Sequence, residues 1–298
     1  LPSYEVVEND PLIDSSNMSP GVWRNIAARL VDAYEQYDGF IVLHGTDTMA
    51  YTASALAFLL DGLAKPVILT GSQIPLCEVR NDARRNLVTS LQLAAESRIR
   101  EVCLLFGDSL FRGCRVSKVH ASGFEAFDSP NFPALGRIGT DVRLAEDLLH
   151  QPEPGAALRV AEMGEAKVAA LRLFPGISAD ILANFLAAPL QGLVLEAYGC
   201  GNGPEADEFL AVLRAATARG VVIVICTQCE RGRVVLDQYA TGRALARAGC
   251  VSGFDLTPEA ALAKLYWLFA TGAPPERVRA DMQRNVRGEL GPAAAPWS

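Results

Sequence analysis

Gly39-Phe40-Ile41-Val42-Leu43-His44-Gly45-Thr46-Asp47-Thr48-Met49 passes from an apolar run into a small polar turn. Ala50-Tyr51-Thr52-Ala53-Ser54-Ala55-Leu56-Ala57-Phe58-Leu59-Leu60 follows at once and favours helix. This order predicts a strand, a tight turn and a helix. In open α/β folds, ligands sit at the carboxyl ends of such strands. Thr46 brings a hydroxyl to the turn, and Asp47 a carboxylate. The first helical turn leaves backbone N–H groups unpaired, which favours an anion. Capping of the helix by Thr46 or Asp47 is the plainer reading, and spacing alone leaves both open.

Working outward, Lys65-Pro66-Val67-Ile68-Leu69-Thr70-Gly71-Ser72 reads as a second strand and turn. Residues 81–97 are helical, with Leu87, Leu91 and Ala94 on one face, and Val102–Phe106 is a further strand. Upstream, Tyr4-Glu5-Val6-Val7 reads as a short strand. Ser19-Pro20 is an N-cap with proline at the first helical position of an amphipathic helix over 20–37. From Phe111 to Phe127 the pattern predicts irregular structure or a short extended pair. A second α/β set follows: strands 168–173, 192–197 and 221–226, helices 179–187 and 205–219, and a helix capped by Thr257. The expected fold is α/β. A larger N-terminal domain over 1–144 has a mostly parallel sheet flanked by helices. A Pro/Gly-rich linker over 145–165 leads to a smaller C-terminal α/β domain over 166–298. The tail 291–298 is expected to be disordered.

The 298 residues are half hydrophobic, enough for a substantial core in each domain. The net charge of −7 includes no basic block, which argues against nucleic acid as a partner. No apolar stretch reaches the roughly 20 residues of a membrane span, and no secretory signal opens the residues given. Seven scattered cysteines fit a reducing compartment better than a disulfide framework, with Cys103 and Cys226 reading as buried small apolar groups. Cys226-Thr227-Gln228-Cys229 is a lone CxxC, without the second ligand pair of a zinc site or the context of a redox motif.

A hydroxyl at Thr46 needs a partner to activate it. Serine-hydrolase logic calls for a histidine and a G-x-S-x-G elbow, and that elbow is absent. Of the three histidines, His44, His120 and His150, the first ends a strand, where a structural, hydrogen-bonded role is expected. Lys118, in Arg115-Val116-Ser117-Lys118-Val119-His120-Ala121, is the other candidate. A buried lysine can accept a proton near neutrality, although an exposed lysine is the commoner case. Asp14-Ser15-Ser16-Asn17-Met18 is a polar turn that reads as capping or loop solvation by itself. Tyr198-Gly199-Cys200-Gly201-Asn202-Gly203 lacks the order of a dinucleotide motif.

Taken together, these stretches resemble the bacterial type I L-asparaginase family. His44-Gly45-Thr46-Asp47-Thr48-Met49 is similar to that family's second signature. Leu12-Ile13-Asp14-Ser15-Ser16, Thr70-Gly71-Ser72-Gln73-Ile74-Pro75, Arg112-Gly113-Cys114-Arg115-Val116-Ser117-Lys118, Gly123-Phe124-Glu125-Ala126-Phe127-Asp128-Ser129-Pro130-Asn131 and Tyr239-Ala240-Thr241-Gly242 match other segments in order. The resemblance spans nearly the whole chain.

The resemblance implies hydrolysis of L-asparagine to L-aspartate and ammonia, with no metal or cofactor, in the cytoplasm. Thr46 then corresponds to one of the family's two threonines and works with Asp47 and Lys118. Ser15 corresponds to its substrate-holding serine. Lys118 is expected to take a hydroxyl proton, and Asp47 to hold the lysine or the substrate's α-ammonium. The other threonine belongs to a Thr-Gly-Gly-Thr-Ile-Gly type loop. That motif does not occur in residues 1–298, so this loop and the family's first strand are expected upstream of Leu1.

The resemblance further implies a homodimer or homotetramer. Some type I relatives have a second, allosteric asparagine site, which for this chain would lie near Ser117 and Cys229. In Trp267-Leu268-Phe269, core packing is the plainer reading than an interface. Two alternatives stand beside hydrolysis: a catalytically inactive amino-acid-binding or regulatory protein, and an ammonia-supplying amidotransferase subunit.

Overall fold

A capping hydroxyl and a proline at the first position start the first helix. In α1 (Pro20–Asp32) the Ser19 hydroxyl accepts from the Val22 N–H, and Trp23, Ile26 and Ala27 are buried. The helix ends at Ala33, and a 3-10 turn, Tyr34–Gln36, leads to β1 (Phe40–Leu43). The helix expected over 20–37 is therefore interrupted before its last turn. In α2 (Met49–Leu59) every residue but Tyr51 is buried, as in a helix enclosed on all sides. The computed structural model describes residues 1–151, 157–161 and 165–291. The chain divides into two compact units, Leu1–Glu162 and Met163–Ser298.

The first unit continues with β2 (Leu60–Asp61), β3 (Val67–Thr70), α3 (Ala83–Ala94), β4 (Val102–Phe106) and β5 (Ser109–Arg112). Short strands follow: β6 (Ser117–Lys118), β7 (Phe127–Asp128), β8 (Gly136–Ile138), β9 (Val142–Leu144) and β10 (Arg159–Val160). Its main sheet has the order β1-β3-β4-β5-β8-β9. β1, β3 and β4 are parallel, and β5, β8 and β9 continue the sheet antiparallel. Leu43 lies opposite Thr70, so the turns after β1 and β3 leave the sheet side by side. β6 and β7 form the short extended pair expected between Phe111 and Phe127.

Much of the expected linker over 145–165 belongs to this unit. Leu149 is buried, and β10 pairs antiparallel with β2. Residues 152–156 and 162–164 of that stretch, and 292–298 of the expected disordered tail, lie outside the described residues. Tyr4–Val7 is not a strand. Tyr4, Val6 and Val7 are exposed, and no described strand offers this segment a ladder. It lies instead against later residues, through the Tyr37 hydroxyl on the Glu5 carboxylate and Arg29 Nη1 on the Glu8 carbonyl.

Behind β4, Arg112 and Glu101 form a buried ion pair at 2.6 Å. Glu101 also accepts from the His150 N–H at 2.7 Å, and the Arg112 guanidinium lies 4.6 Å from the Phe132 ring centre. Each partner thus keeps further contacts, as a desolvated charge pair requires.

The second unit is built on β11 (Val168–Arg172), β12 (Gly192–Ala197), β13 (Val222–Thr227) and β14 (Val251–Ser252), parallel and in chain order. Its helices are α4 (Ala179–Phe185), α5 (Asp207–Ala218), α6 (Ala240–Arg247), α7 (Pro258–Ala270) and α8 (Pro275–Met282). Thr257 caps α7 as expected, its hydroxyl accepting from the Ala260 N–H at 3.1 Å. Leu268 is buried, while Trp267 and Phe269 are half-buried. Lys264 on α7 is fully enclosed. Its ammonium donates to Glu289 at 2.6 Å and to the Met282 and Arg284 carbonyls at 3.2 and 2.5 Å. The Glu289 carboxylate in turn accepts from the Val286 and Arg287 N–H groups.

Among the described residues no helix is long and apolar enough to cross a membrane. No group of three or more His, Cys, Asp and Glu is placed to hold a metal ion.

Candidate active site

The turns after β1 and β3 meet the β6–β7 hairpin. Lys118 Nζ donates to Thr46 Oγ1 at 2.8 Å and to Asp47 Oδ1 at 2.7 Å. The Thr46 hydroxyl then donates to Gln73 Oε1 at 3.2 Å. The side chain of Lys118 is 18% exposed and that of Asp47 70%. The amine is thus sheltered, and the carboxylate remains open to a second partner. Neither Thr46 nor Asp47 caps α2, whose N-cap is Thr48 with no side-chain capping bond. Both side chains turn toward Lys118, so capping of α2 is not their role. Among the described residues the backbone N–H groups of Thr46 and Asp47 have no partner.

Ser15 starts a 3-10 turn, Ser15–Asn17, capped by Asp14. Asp14 Oδ1 accepts from the Ser16 hydroxyl at 2.7 Å and from its N–H at 2.8 Å. Those bonds hold the Asp14 carboxyl below the usual carboxylate range. The Ser15 carbonyl accepts from the Thr48 hydroxyl at 2.6 Å, tying this turn to the start of α2. Ser15 lies directly over Gly45: a Cβ at residue 45 would stand 2.5 Å from Ser15 Oγ and 2.8 Å from its Cβ. Only glycine allows that approach. Gly71 has the same duty opposite, where a Cβ would collide with the His44 carbonyl.

His44 sits beneath the turn, buried. Its Nδ1 lies 2.6 Å from the Gly45 carbonyl, and its Nε2 lies 2.8 Å from Thr52 Oγ1 on α2. A carbonyl only accepts, so Nδ1 carries the hydrogen. Nε2 of the neutral ring then accepts from Thr52. The Thr52 oxygen receives the Trp23 indole N–H from α1 at 3.0 Å. Burial pushes the imidazole down from its ordinary value, only partly opposed by the Gly45 carbonyl, so the neutral ring is favoured. The expected structural role of His44 agrees with these contacts.

Gln73 and Asp82 were not singled out from the sequence. Gln73 Nε2 donates to the Ala121 and Gly123 carbonyls at 3.2 and 3.0 Å. Its amide therefore joins Thr46 to the loop after β6. Asp82 fixes the Gln73 backbone, accepting from the N–H groups of Gln73 and Ile74 at 3.0–3.1 Å. The available signal was positional: Gln73 follows β3 as Thr46 follows β1, and parallel strands in register place those turns together. Ser117, on β6, and Cys229, exposed after β13, belong to different units.

Fold and site together define an α/β protein with a hydroxyl, an amine and a carboxylate gathered at the carboxyl end of a strand. Residues 3–150 match the family model "Asparaginase, N-terminal", and residues 167–282 match the "Glutaminase/Asparaginase C-terminal domain". The chain belongs to the asparaginase family. It is 47% identical over 292 residues to L-asparaginase 1 of Escherichia coli strain K12, covering 98% of this chain and 86% of that one. It is 46% identical over 290 residues to the human 60 kDa lysophospholipase, covering 97% of this chain and 50% of the human protein. The crystal structure of L-asparaginase I from Vibrio cholerae superposes with a TM-score of 0.92 at 45% identity, covering 97% of this chain and 87% of that one.

Proposed function

We propose that this protein hydrolyses the side-chain amide of L-asparagine, giving L-aspartate and ammonia. The observation that carries the reading is Lys118 Nζ within hydrogen-bond reach of both Thr46 Oγ1 and Asp47 Oδ1. A nucleophile attacking the amide must lose a proton, and the leaving ammonia must gain one. Thr46 and Lys118 form a path for those protons, and Asp47 holds the amine in place. The unpartnered Thr46 N–H suits the oxyanion that develops on the amide oxygen. Asp47, open on its solvent side, suits the substrate's α-ammonium. The Ser15 hydroxyl, next to Gly45, suits its α-carboxylate. Resemblance assigns the attack itself to a threonine of a Thr-Gly-Gly-Thr loop, a motif that residues 1–298 do not contain.

The same family resemblance supports a cytoplasmic enzyme acting as a homodimer or homotetramer. Phe174, Ile181 and Phe185, exposed on the second unit, are available for burial in such an assembly. It also supports asparagine binding at a second, allosteric site.

The test is ammonia release by the full-length protein supplied with L-asparagine. Turnover well above a Lys118→Ala control is expected. Equal rates in the two proteins would remove the assignment.

A further inference from the structure

The carbonyl of Gly45 and the N–H of Thr46 belong to one peptide plane and point in opposite directions. Whatever holds that carbonyl therefore aims that N–H. The holder is the His44 ring, whose Nδ1–H reaches the Gly45 carbonyl at 2.6 Å. The ring in turn is fixed from its other nitrogen by Thr52 at 2.8 Å, and Thr52 by the Trp23 indole at 3.0 Å. The series joins α1, α2 and the end of β1, all rigid elements, to a peptide at the reacting centre. Trp23, His44 and Thr52 are buried, so water does not compete for these bonds.

We propose that His44 is a positioning residue for amide hydrolysis, orienting the Gly45–Thr46 peptide through a Trp23–Thr52–His44 hydrogen-bond series. The proposal rests on the assignment of Thr46 to the reacting centre. His44 exchanges no proton with substrate: its Nδ1 hydrogen stays on the Gly45 carbonyl, and its Nε2 lone pair is occupied by Thr52. The oriented N–H matters most when negative charge has formed on the substrate oxygen, so its loss affects the rate more than ground-state binding.

Three variants separate this from a merely structural histidine. His44→Leu removes both ring bonds. His44→Asn keeps a nitrogen donor near the Nδ1 position and loses the acceptor. Thr52→Val removes the hydroxyl from the middle of the series. Steady-state ammonia release with L-asparagine is measured for each in the full-length protein, beside thermal melts.

The expectation for His44→Leu is a kcat lowered about five- to tenfold, short of the roughly 100-fold cost of a full 1 Å misplacement. KM should stay within about twofold. His44→Asn should recover most of the rate. In the double variant Thr52→Val with His44→Leu, losses should fail to add, because both act through one series. An unchanged kcat in His44→Leu overturns the proposal, as does a loss carried by KM, or additive losses in the double variant. If His44→Leu does not fold, the decision falls to Thr52→Val and His44→Asn, with an unaltered kcat in Thr52→Val overturning it. Absence of turnover in the unmodified protein overturns the assignment of the site, and this proposal with it. Normal turnover with indifferent variants overturns this proposal alone.

Discussion

Lys118→Met tests the site most directly, because its chemical and structural effects differ in size. The substitution removes the donor to Thr46 and the partner of Asp47. A positioned proton-transfer group is worth about 10²–10⁴ in rate, or about 2.7–5.4 kcal/mol of barrier at about 1.36 kcal/mol per tenfold. The stability effect is smaller. The Asp47 side chain is 70% exposed, so that ion pair contributes about 0–1 kcal/mol. With the bond to Thr46 included, the total loss is about 2 kcal/mol. Against a stability of about 5–15 kcal/mol, even the low end leaves roughly 99% of the protein folded. Thermal melts should fall by about 4–8 °C, while kcat for ammonia release at saturating asparagine falls at least 100-fold. Lys118→Arg sharpens the test: arginine keeps the charge but cannot give up its proton to become an acceptor. It should stay within about tenfold of Lys118→Met. An arginine variant near the native rate refutes proton transfer by Lys118, and so does a methionine variant that keeps more than a tenth of native kcat.

Gly45→Ala should lower activity and stability together, because its methyl group must displace Ser15. A cost of about 1–3 kcal/mol in denaturant unfolding is expected, the usual range for overpacking. Burial lowers the His44 pKa in the folded chain, so in the window below about 6.5 the unfolded state binds the extra proton. Stability from this group is complete above that pH and declines as pH falls, a slope that unfolding titrations should find missing in His44→Leu. Glu289→Gln strands the enclosed Lys264 charge and should cost about 3–5 kcal/mol, read as a fall on the order of 10 °C in melting. Cys77 and Cys229 are exposed, whereas Cys103, Cys114, Cys226 and Cys250 are buried. Burial raises the Cys103, Cys226 and Cys250 thiols, Cys250 to about 12. A thiol reagent should label the exposed pair in the native protein and the four buried thiols only after unfolding, as mass spectrometry can resolve.

Long apolar runs ended by turn residues were the most legible part of the sequence. Val102–Phe106 and Gly192–Ala197 have the expected limits, since a fully buried parallel strand is written as one continuous apolar run. Tyr4–Val7 shows the converse. β-favouring residues do not make a strand without a neighbour to pair with, and neighbours lie beyond local sequence. Strands of two or three residues, such as β8 and β10, are too short to show a period, and the short polar helices α6 and α8 were missed. At the site, Thr46 and Asp47 could be found from the turn itself. Lys118 lies 72 residues from Thr46, and their proximity was implied only by family resemblance. The contacts of Gln73 and Thr52 depend on strand register and helix rotation, which residue types do not encode locally.

The enclosed bond between Lys264 and Glu289 also sets an order of events during synthesis. A nascent chain that has emerged through α8 already contains β11 to β14 and every described helix of the second unit. Its buried ammonium still waits for a carboxylate 25 residues further along. The unit can make this interior ion pair only once that late loop has been synthesised. The loop acts as a latch, and a chain ending before Glu289 has the described strands and helices of this unit without the ion pair that balances its enclosed ammonium.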